Sequence, residues 1–587
     1  MIIRSSRRMA PPSLNRHDPG QVPRCRRRDL VLFGSLTLLS TGLMLLGPMA
    51  VAQQPPWAAT SAPPAGVSAD NTRAALQERI DHADQAVKRL PSDVPAFLPH
   101  FYHSALTAPQ FNATQSSLRQ EQKARSQPCA QDNIYEHGGI PSTIDKSEVD
   151  RDSAGCEGSY QPGGATQTGP NAFFDSLGSN GRTCATCHQP PSGMSVGVAN
   201  IKARYQATSG TDPIFAGVDG ANCPNNLPPN TGSGAAFRAA HSLLLTRGLI
   251  RIFLPLPAGA QFTIMVVSDP NGCNTDPAYD QDTINGQTAQ MISIYRRPRI
   301  SASLNFVNLP GLSEGPAIMW DTREPSLDSQ ARDATLGHAQ AQNPPTAAQI
   351  AQMVGFENGI FSAQSYDNRA HNLDAAGATG GAKNLSSAPT GQGGPPNGIT
   401  FTEYNSWAGL AGNSVNQQRA AIARGQELFN KKTFIISNVA GLNDTLNNAI
   451  TGMCSTCHSQ AHSGNNLKGK LATLDIGIGG TSSAHHGPSP SHTLPIFKIT
   501  CTGGLSTPFN GNSVTTNDPG LALISGQCAD IGKFAGPQLR ALAARAPYFT
   551  DGSAPKLEDV VKFYDRRFSI GFKPKEIQDL VSFLNTL

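Results

Sequence analysis

Cys184-Ala185-Thr186-Cys187-His188 and Cys454-Ser455-Thr456-Cys457-His458 are the two stretches that decide how this 587-residue chain is read. In the pattern Cys-x-x-Cys-His, two thiols add across the vinyl groups of a haem, and the adjacent imidazole reaches the iron from the proximal side. The motifs therefore predict two covalently bound c-type haems, attached through Cys184 and Cys187 and through Cys454 and Cys457, with His188 and His458 as iron ligands. Two other chemistries also use paired cysteines. Four thiolates can hold one tetrahedral zinc, but zinc does not require a histidine after each pair. A thioredoxin-like redox pair sits in an alternating strand and helix pattern, which neither stretch has.

The rest of the cysteines fit an oxidising compartment. Cys25 belongs to the N-terminal segment, and the remaining six, Cys129, Cys156, Cys223, Cys273, Cys501 and Cys528, suffice for three disulfides. Neighbouring cysteines give the pairs Cys129–Cys156, Cys223–Cys273 and Cys501–Cys528, although sequence alone allows about fifteen pairings. The N-terminus reads as an export signal: basic Arg24-Cys25-Arg26-Arg27-Arg28, an apolar run from Leu30 to about Val51, and Ala50-Val51-Ala52 before a cleavage point after Ala52. A retained membrane anchor is the alternative, weakened by Ser35, Thr37, Ser40, Thr41 and Pro48 within the run. The expected location is periplasmic or secreted, with membrane contact only through an uncleaved signal. Residues 1–52 carry eight Arg and two Asp, so the net charge of +4 becomes −2 without them. That balance argues against a nucleic-acid partner held by a positive surface.

Composition and periodicity outline the architecture. The 57 Gly, 45 Pro and 15% charged residues point to much irregular backbone and long loops between interrupted helices, and the fold class expected is mainly α with long irregular loops. Helical spacing marks Asn71 to Leu90, Ala420 to Phe429, Leu557 to Tyr564, and Lys575 to Leu587, the last entered through Pro574. Strand-like runs occur at Leu249 to Pro255 and Phe262 to Val267. The expected organisation is a signal over 1–52, a first cytochrome c-like haem domain over 53–372 with a loop-rich insertion at about 190–290, a linker over 373–400, and a second cytochrome c-like domain over 401–587.

Beyond the motifs, three blocks stand out: Trp320-Asp321-Thr322-Arg323 with Leu327 and Gln330-Ala331; Leu539-Arg540 followed by Ala546-Pro547-Tyr548-Phe549-Thr550-Asp551-Gly552; and Leu557-Glu558-Asp559-Val560-Val561. In these blocks the chain resembles the bacterial di-haem cytochrome c peroxidase superfamily, which includes a tryptophan-cofactor maturation enzyme and haem-containing rubber oxygenases. Residues 53–170 and 190–290 fall outside the resemblance. It implies a substrate-binding haem at His188, a six-coordinate electron-passing haem at His458, and Trp320 between them. It also implies a calcium ion between the domains, for which no dense Asp/Glu loop is evident.

The sixth ligand of the second haem is narrowed by composition, since no methionine follows Met453. Tyrosine, histidine or an open position remain. The resemblance places the ligand at Tyr564, with His485, His486 and His492 as alternatives. At the first haem it aligns Gln330, Ala334 and Gln340 with the peroxidases' Gln, Pro and catalytic Glu, so the proton-shuttling carboxylate is missing. His338 is the nearby side chain able to replace it as acid/base or distal ligand. Thr550 stands where the peroxidases have histidine. The function these features imply is a di-haem oxidoreductase using Trp320, Gln330, His338 and Gln340, with hydrogen peroxide or dioxygen as oxidant. Its electrons would come from a small cytochrome or cupredoxin, or from an organic substrate. An oxygenase or substrate-oxidising enzyme of the same superfamily and a non-catalytic electron carrier are the alternatives.

Overall fold

The computed structural model describes Cys129, Tyr135 and residues 138–228, 234–284, 287–306, 318–388, 399–459, 473–479, 490–508 and 511–587. The signal segment, the helix expected at Asn71 to Leu90, His485, His486 and residues 389–398 of the expected linker lie outside these.

Periodicity located the C-terminal helices well. Ala420 to Phe429 lies within a helix Ser414–Lys431, Leu557 to Tyr564 opens Leu557–Phe568, and the terminal helix runs Pro574–Leu584. The first and third of these pack closely, and Gly425 makes the approach possible: a Cβ there would collide with the main-chain carbonyl of Asp579. Around this crossing Phe401, Tyr404, Trp407, Phe429 and Phe583 form one buried core. A second core lies behind the first motif, where Phe356 of the helix Ala347–Gly359 meets Phe173 and Phe174 with ring centroids 4.7 and 5.0 Å away. That helix starts on a reciprocal cap between Thr346 and Gln349.

The expectation of a mainly α fold is overturned. The described residues are 33% helix and 20% strand, and the strands form several antiparallel sheets. Two strands fall where sequence placed them, Ile250–Pro255 and Phe262–Ser268. Others escaped notice, some of them, such as Phe497-Lys498-Ile499-Thr500-Cys501, despite an apolar alternation. The four-stranded sheet of Ser147–Arg151, Gly155–Tyr160, Phe361–Asp367 and His371–Asn372 buries Phe361 and Ala363 on one face against the short helix Ala382–Ser386. Its other face carries Glu157, Ser159, Ser362 and Gln364, all buried and polar. Ser147–Arg151 and Gly155–Tyr160 are short and poor in β-branched and aromatic residues, and the contrast in Phe361-Ser362-Ala363-Gln364 lasts only one such run, so the sheet did not stand out in sequence.

Segments distant in sequence share elements. Phe262–Ser268, from within the expected insertion, pairs antiparallel with Ile496–Cys501, which pairs in turn with Ser513–Thr516. Arg296 reaches Asp518 through paired bonds of 2.6 and 2.8 Å. The three disulfides are Cys129–Cys156, Cys223–Cys273 and Cys501–Cys528, with Cα separations of 5.7, 5.6 and 6.0 Å, so the neighbouring pairing is the one formed. Among the described residues no helix is long and apolar enough to cross a membrane.

Candidate haem sites

The two motifs fold by the same local device. The third residue of each, Thr186 or Thr456, accepts through its hydroxyl the main-chain N–H three residues earlier, from Thr183 at 3.0 Å and Met453 at 2.9 Å. This closes a single helical turn, and the N–H of each following histidine donates to the first cysteine's carbonyl at 3.0 Å. The turn sets both thiols and the imidazole on one short, rigid unit. All four motif cysteines are free thiols. Burial raises each of their pKa values, to about 12 for Cys454 and Cys457.

The histidines differ in support. His188 Nδ1 lies 2.9 Å from the carbonyl of Met194. A carbonyl only accepts, so Nδ1 carries the proton and Nε2 is left with its lone pair, the form that ligates iron. Burial depresses its pKa, and His338 nearby adds to this, while the Met194 carbonyl opposes. His458 is neutral for a simpler reason, since burial alone lowers its pKa to about 4. Its Nδ1 is buried without a hydrogen-bond partner among the described residues, and its ring leans on Phe429, with centroids 6.1 Å apart.

Each motif borders a cavity. Cys184, Cys187 and His188 line one with about 1480 Å³ of space unfilled by protein atoms, part of it open to solvent. Cys454, Cys457 and His458 line a second of about 1530 Å³, likewise partly open. The thiol pairs thus face separate spaces and do not converge on one tetrahedral ion. Buried arginines complete the fit. Arg297 lines both cavities, Arg299 the first and Arg545 the second. Burial, with the charge of Arg545 close to the other two, brings Arg297 down to about 9 and Arg299 to about 10; burial brings Arg545 to about 10. Cations under this strain favour an anionic neighbour, and a haem brings two carboxylates. Free thiols, a neutral imidazole, an apolar cavity and buried cations together suit a c-type haem at each place.

Trp320, Arg297 and Pro298 are the residues common to both linings, so the indole stands in the wall between the cavities. Its Nε1 donates to the Arg297 carbonyl at 2.8 Å, and Arg299 lies over its ring at 5.4 Å. Its sequence neighbours lock it in place. Asp321 is fully buried and bridged by Arg296 and by Arg323, the latter at 2.9 Å. Burial works to raise the Asp321 pKa, but the two guanidiniums hold it below the usual carboxylate value.

Gln330, Ala334 and His338 all line the first cavity, being spaced i, i+4 and i+8 along the helix Leu327–Gly337 and its C-cap. Ser326 caps that helix by accepting the Ser329 N–H at 3.0 Å. Gln340 is not brought to the cavity. The helix ends at Gly337, and Gln340 is exposed in a left-handed conformation (φ 57°), its amide oxygen 3.3 Å from Asn180 Nδ2. At the second cavity Tyr564 is part of the lining, whereas His492 is exposed and is not. Burial raises the Tyr564 phenol pKa, with the nearby motif cysteines adding to it. Thr550 is buried, and its carbonyl accepts the Arg297 N–H at 2.8 Å.

Sequence reasoning missed Asp219, Arg182 and the three cavity arginines. Asp219 lines the first cavity and receives the His338 ring, Nδ1 to Oδ2, at 2.5 Å; its other oxygen pairs with Arg182. Burial works to raise its pKa, and Arg182 followed by His338 brings it below the ordinary value. No local pattern marks it, for it lies 119 positions from its histidine.

No protein-family model matches the chain. Cytochrome-c peroxidase IdrP2 of Denitromonas iodatirespirans is 29% identical over 138 residues, a match covering 19% of this chain and 36% of that protein. The chain thus spans little more than a third of this curated relative. Two solved structures show slight similarity, a MauG-like protein associated with microbial copper homeostasis (TM-score 0.26, 16% identity) and Kuenenia stuttgartiensis hydrazine synthase (TM-score 0.25, 15% identity). Each match covers 50% of this chain and 73% of the other. With the two motifs and the matched relative, the chain is similar over part of its length to a cytochrome c peroxidase.

Proposed function

We propose that this chain is an exported di-haem c-type oxidoreductase that reduces hydrogen peroxide at the first cavity, with electrons arriving through the second. The observation that carries the reading is the contrast between two cavities sharing Trp320 as a wall. The first holds two proton-handling groups, His338 and Asp219, with Gln330 on the helix that ends at His338. The second is apolar and offers Tyr564.

When bound, the haems supply redox-active iron. Hydrogen peroxide takes up two electrons and two protons as its oxygen–oxygen bond breaks, leaving two waters. His338 moves a proton between the oxygens, the task of the carboxylate that Gln340 lacks. Gln330 orients the bound molecule from the preceding helical turns, and the wall residues restrict water. Trp320, in the wall common to both cavities, would stand between the two haems, and Tyr564 is the side chain that would be available to the iron of the second. The electron donor is a small cytochrome or cupredoxin. Export follows from the N-terminal signal and suits the three disulfides.

A second reading rests on Ile250 and Ile252, which come from the strand Ile250–Pro255 and line the first cavity. That apolar wall would suit an organic substrate, making the chain a substrate-oxidising enzyme. Steady-state assays of peroxide against a panel of reduced donors, combined with cyanide titration of the ferric protein, test the readings. Peroxide turnover with cyanide binding at one haem is expected. Two low-spin haems that bind no cyanide would leave an electron carrier.

A further inference from the structure

We infer that Asp219 is a positioning residue that fixes the His338 ring by its Nδ1 and so presents Nε2 to the first cavity. The inference rests on the reading of that cavity as the reactive one. The side chain of Asp219 is 1% exposed and stands between two partners, the His338 ring at 2.5 Å and the Arg182 guanidinium. Arg182 is itself held by the carbonyls of Pro213 (2.9 Å), Ile214 (2.8 Å) and Ala216 (3.3 Å). The Asp219 carbonyl accepts the Arg251 N–H at 2.8 Å, which fastens the residue to the strand Ile250–Pro255. On the other side, the His338 carbonyl accepts Asn180 Nδ2 at 2.8 Å. Ring and main chain of His338 are therefore both restrained.

The chemistry follows from donor and acceptor rules. A carboxylate paired with Arg182 only accepts, so the proton between Asp219 and His338 sits on Nδ1. In the neutral ring Nε2 then has the lone pair and is the base. Without a fixed partner the ring would divide between tautomers and rotamers, and a proton shuttle would be misaligned for part of the time. Asp219 comes from the 190–290 segment, which the resemblance does not cover, so this segment supplies the device that makes a helix-end histidine usable.

Asp219→Asn tests this. The Asn oxygen would keep Arg182, turning the amide N–H₂ toward His338 Nδ1 and forcing the proton onto Nε2. With peroxide, kcat should fall by about 100-fold, close to the loss in His338→Ala, with KM nearly unchanged. Cyanide association with the ferric protein, which also needs a base, should slow in parallel. Labelled-histidine NMR of the reduced, carbon monoxide-bound protein should show the tautomer change. Asp219→Glu, which keeps the charge for Arg182, should recover an intermediate kcat, and the double variant should be no worse than His338→Ala. Wild-type kcat and cyanide rates in Asp219→Asn, beside losses in His338→Ala, would overturn the inference and leave the functional reading standing. Wild-type behaviour in both variants would instead remove the role of His338. If Asp219→Asn does not fold, histidine NMR of the wild-type protein decides, since a proton on His338 Nε2 rather than Nδ1 would overturn the inference.

Discussion

Trp320 depends on two kinds of restraint, the bond from its indole nitrogen to the Arg297 carbonyl and the buried Asp321 clamp beside it. Trp320→Phe keeps the aromatic wall but removes the donor, and should cost about 1–3 kcal/mol of stability. Both haems should stay attached, while reduction of the first by electrons placed on the second becomes slower in stopped-flow mixing. At the other cavity, Tyr564→Phe should change the visible and EPR signature of the second haem alone. A spectrum identical to wild type, or one showing two histidines at that iron before mutation, would exclude Tyr564 as ligand. Residues with local patterns, the Cys-x-x-Cys-His motifs, Trp320 and His338, were legible in the sequence. Asp219, Arg297 and Arg545 were not, because a buried charge is recognisable only from what surrounds it in space.

At the scale of elements, the helices were legible because their apolar residues recur on one face, as in Leu557–Phe568. The sheet around Glu157 went unread because its strands are short and poor in strand-forming residues, and one of its buried faces is polar. That face makes a prediction about pH. Burial raises the pKa of Glu157 well above the ordinary carboxyl value, and burial raises Glu148 to about 7. A carboxyl whose folded pKa is raised stabilises the fold below its unfolded pKa, and that contribution is lost as pH climbs through the folded value. Thermal midpoints should therefore fall between about pH 5 and about pH 8, and Glu157→Gln should flatten the decline. An equal slope in the variant would show that Glu157 is not responsible. The helix crossing at Gly425 gives a sharper test, since Gly425→Ala pushes a methyl into the Asp579 carbonyl. It should destabilise the protein by about 1–3 kcal/mol despite the better helix propensity of alanine, as read from denaturant midpoints.

For the whole molecule, sequence reading anticipated two haem segments but not how they interlock. A strand at 262–268 completes a sheet with 496–501, and Arg296 ties Asp518 to Asp321 beside the shared indole. Such long-range pairing leaves no local trace, which is why the 190–290 segment reads as an insertion although two of its strands were legible. Its strands and Asp219 make it part of the first cavity's wall. The central claim remains that this wall and its counterpart enclose two covalently attached haems. Intact-mass spectrometry of the denatured, acid-extracted chain, expressed with a haem-attachment system, tests it most directly. The account predicts the mass of the polypeptide plus two haems, falling to one haem when Cys184 and Cys187 are both replaced by Ala, and likewise for Cys454 and Cys457. A chain without covalent haem, or one carrying zinc on the intact cysteine pairs, would contradict it.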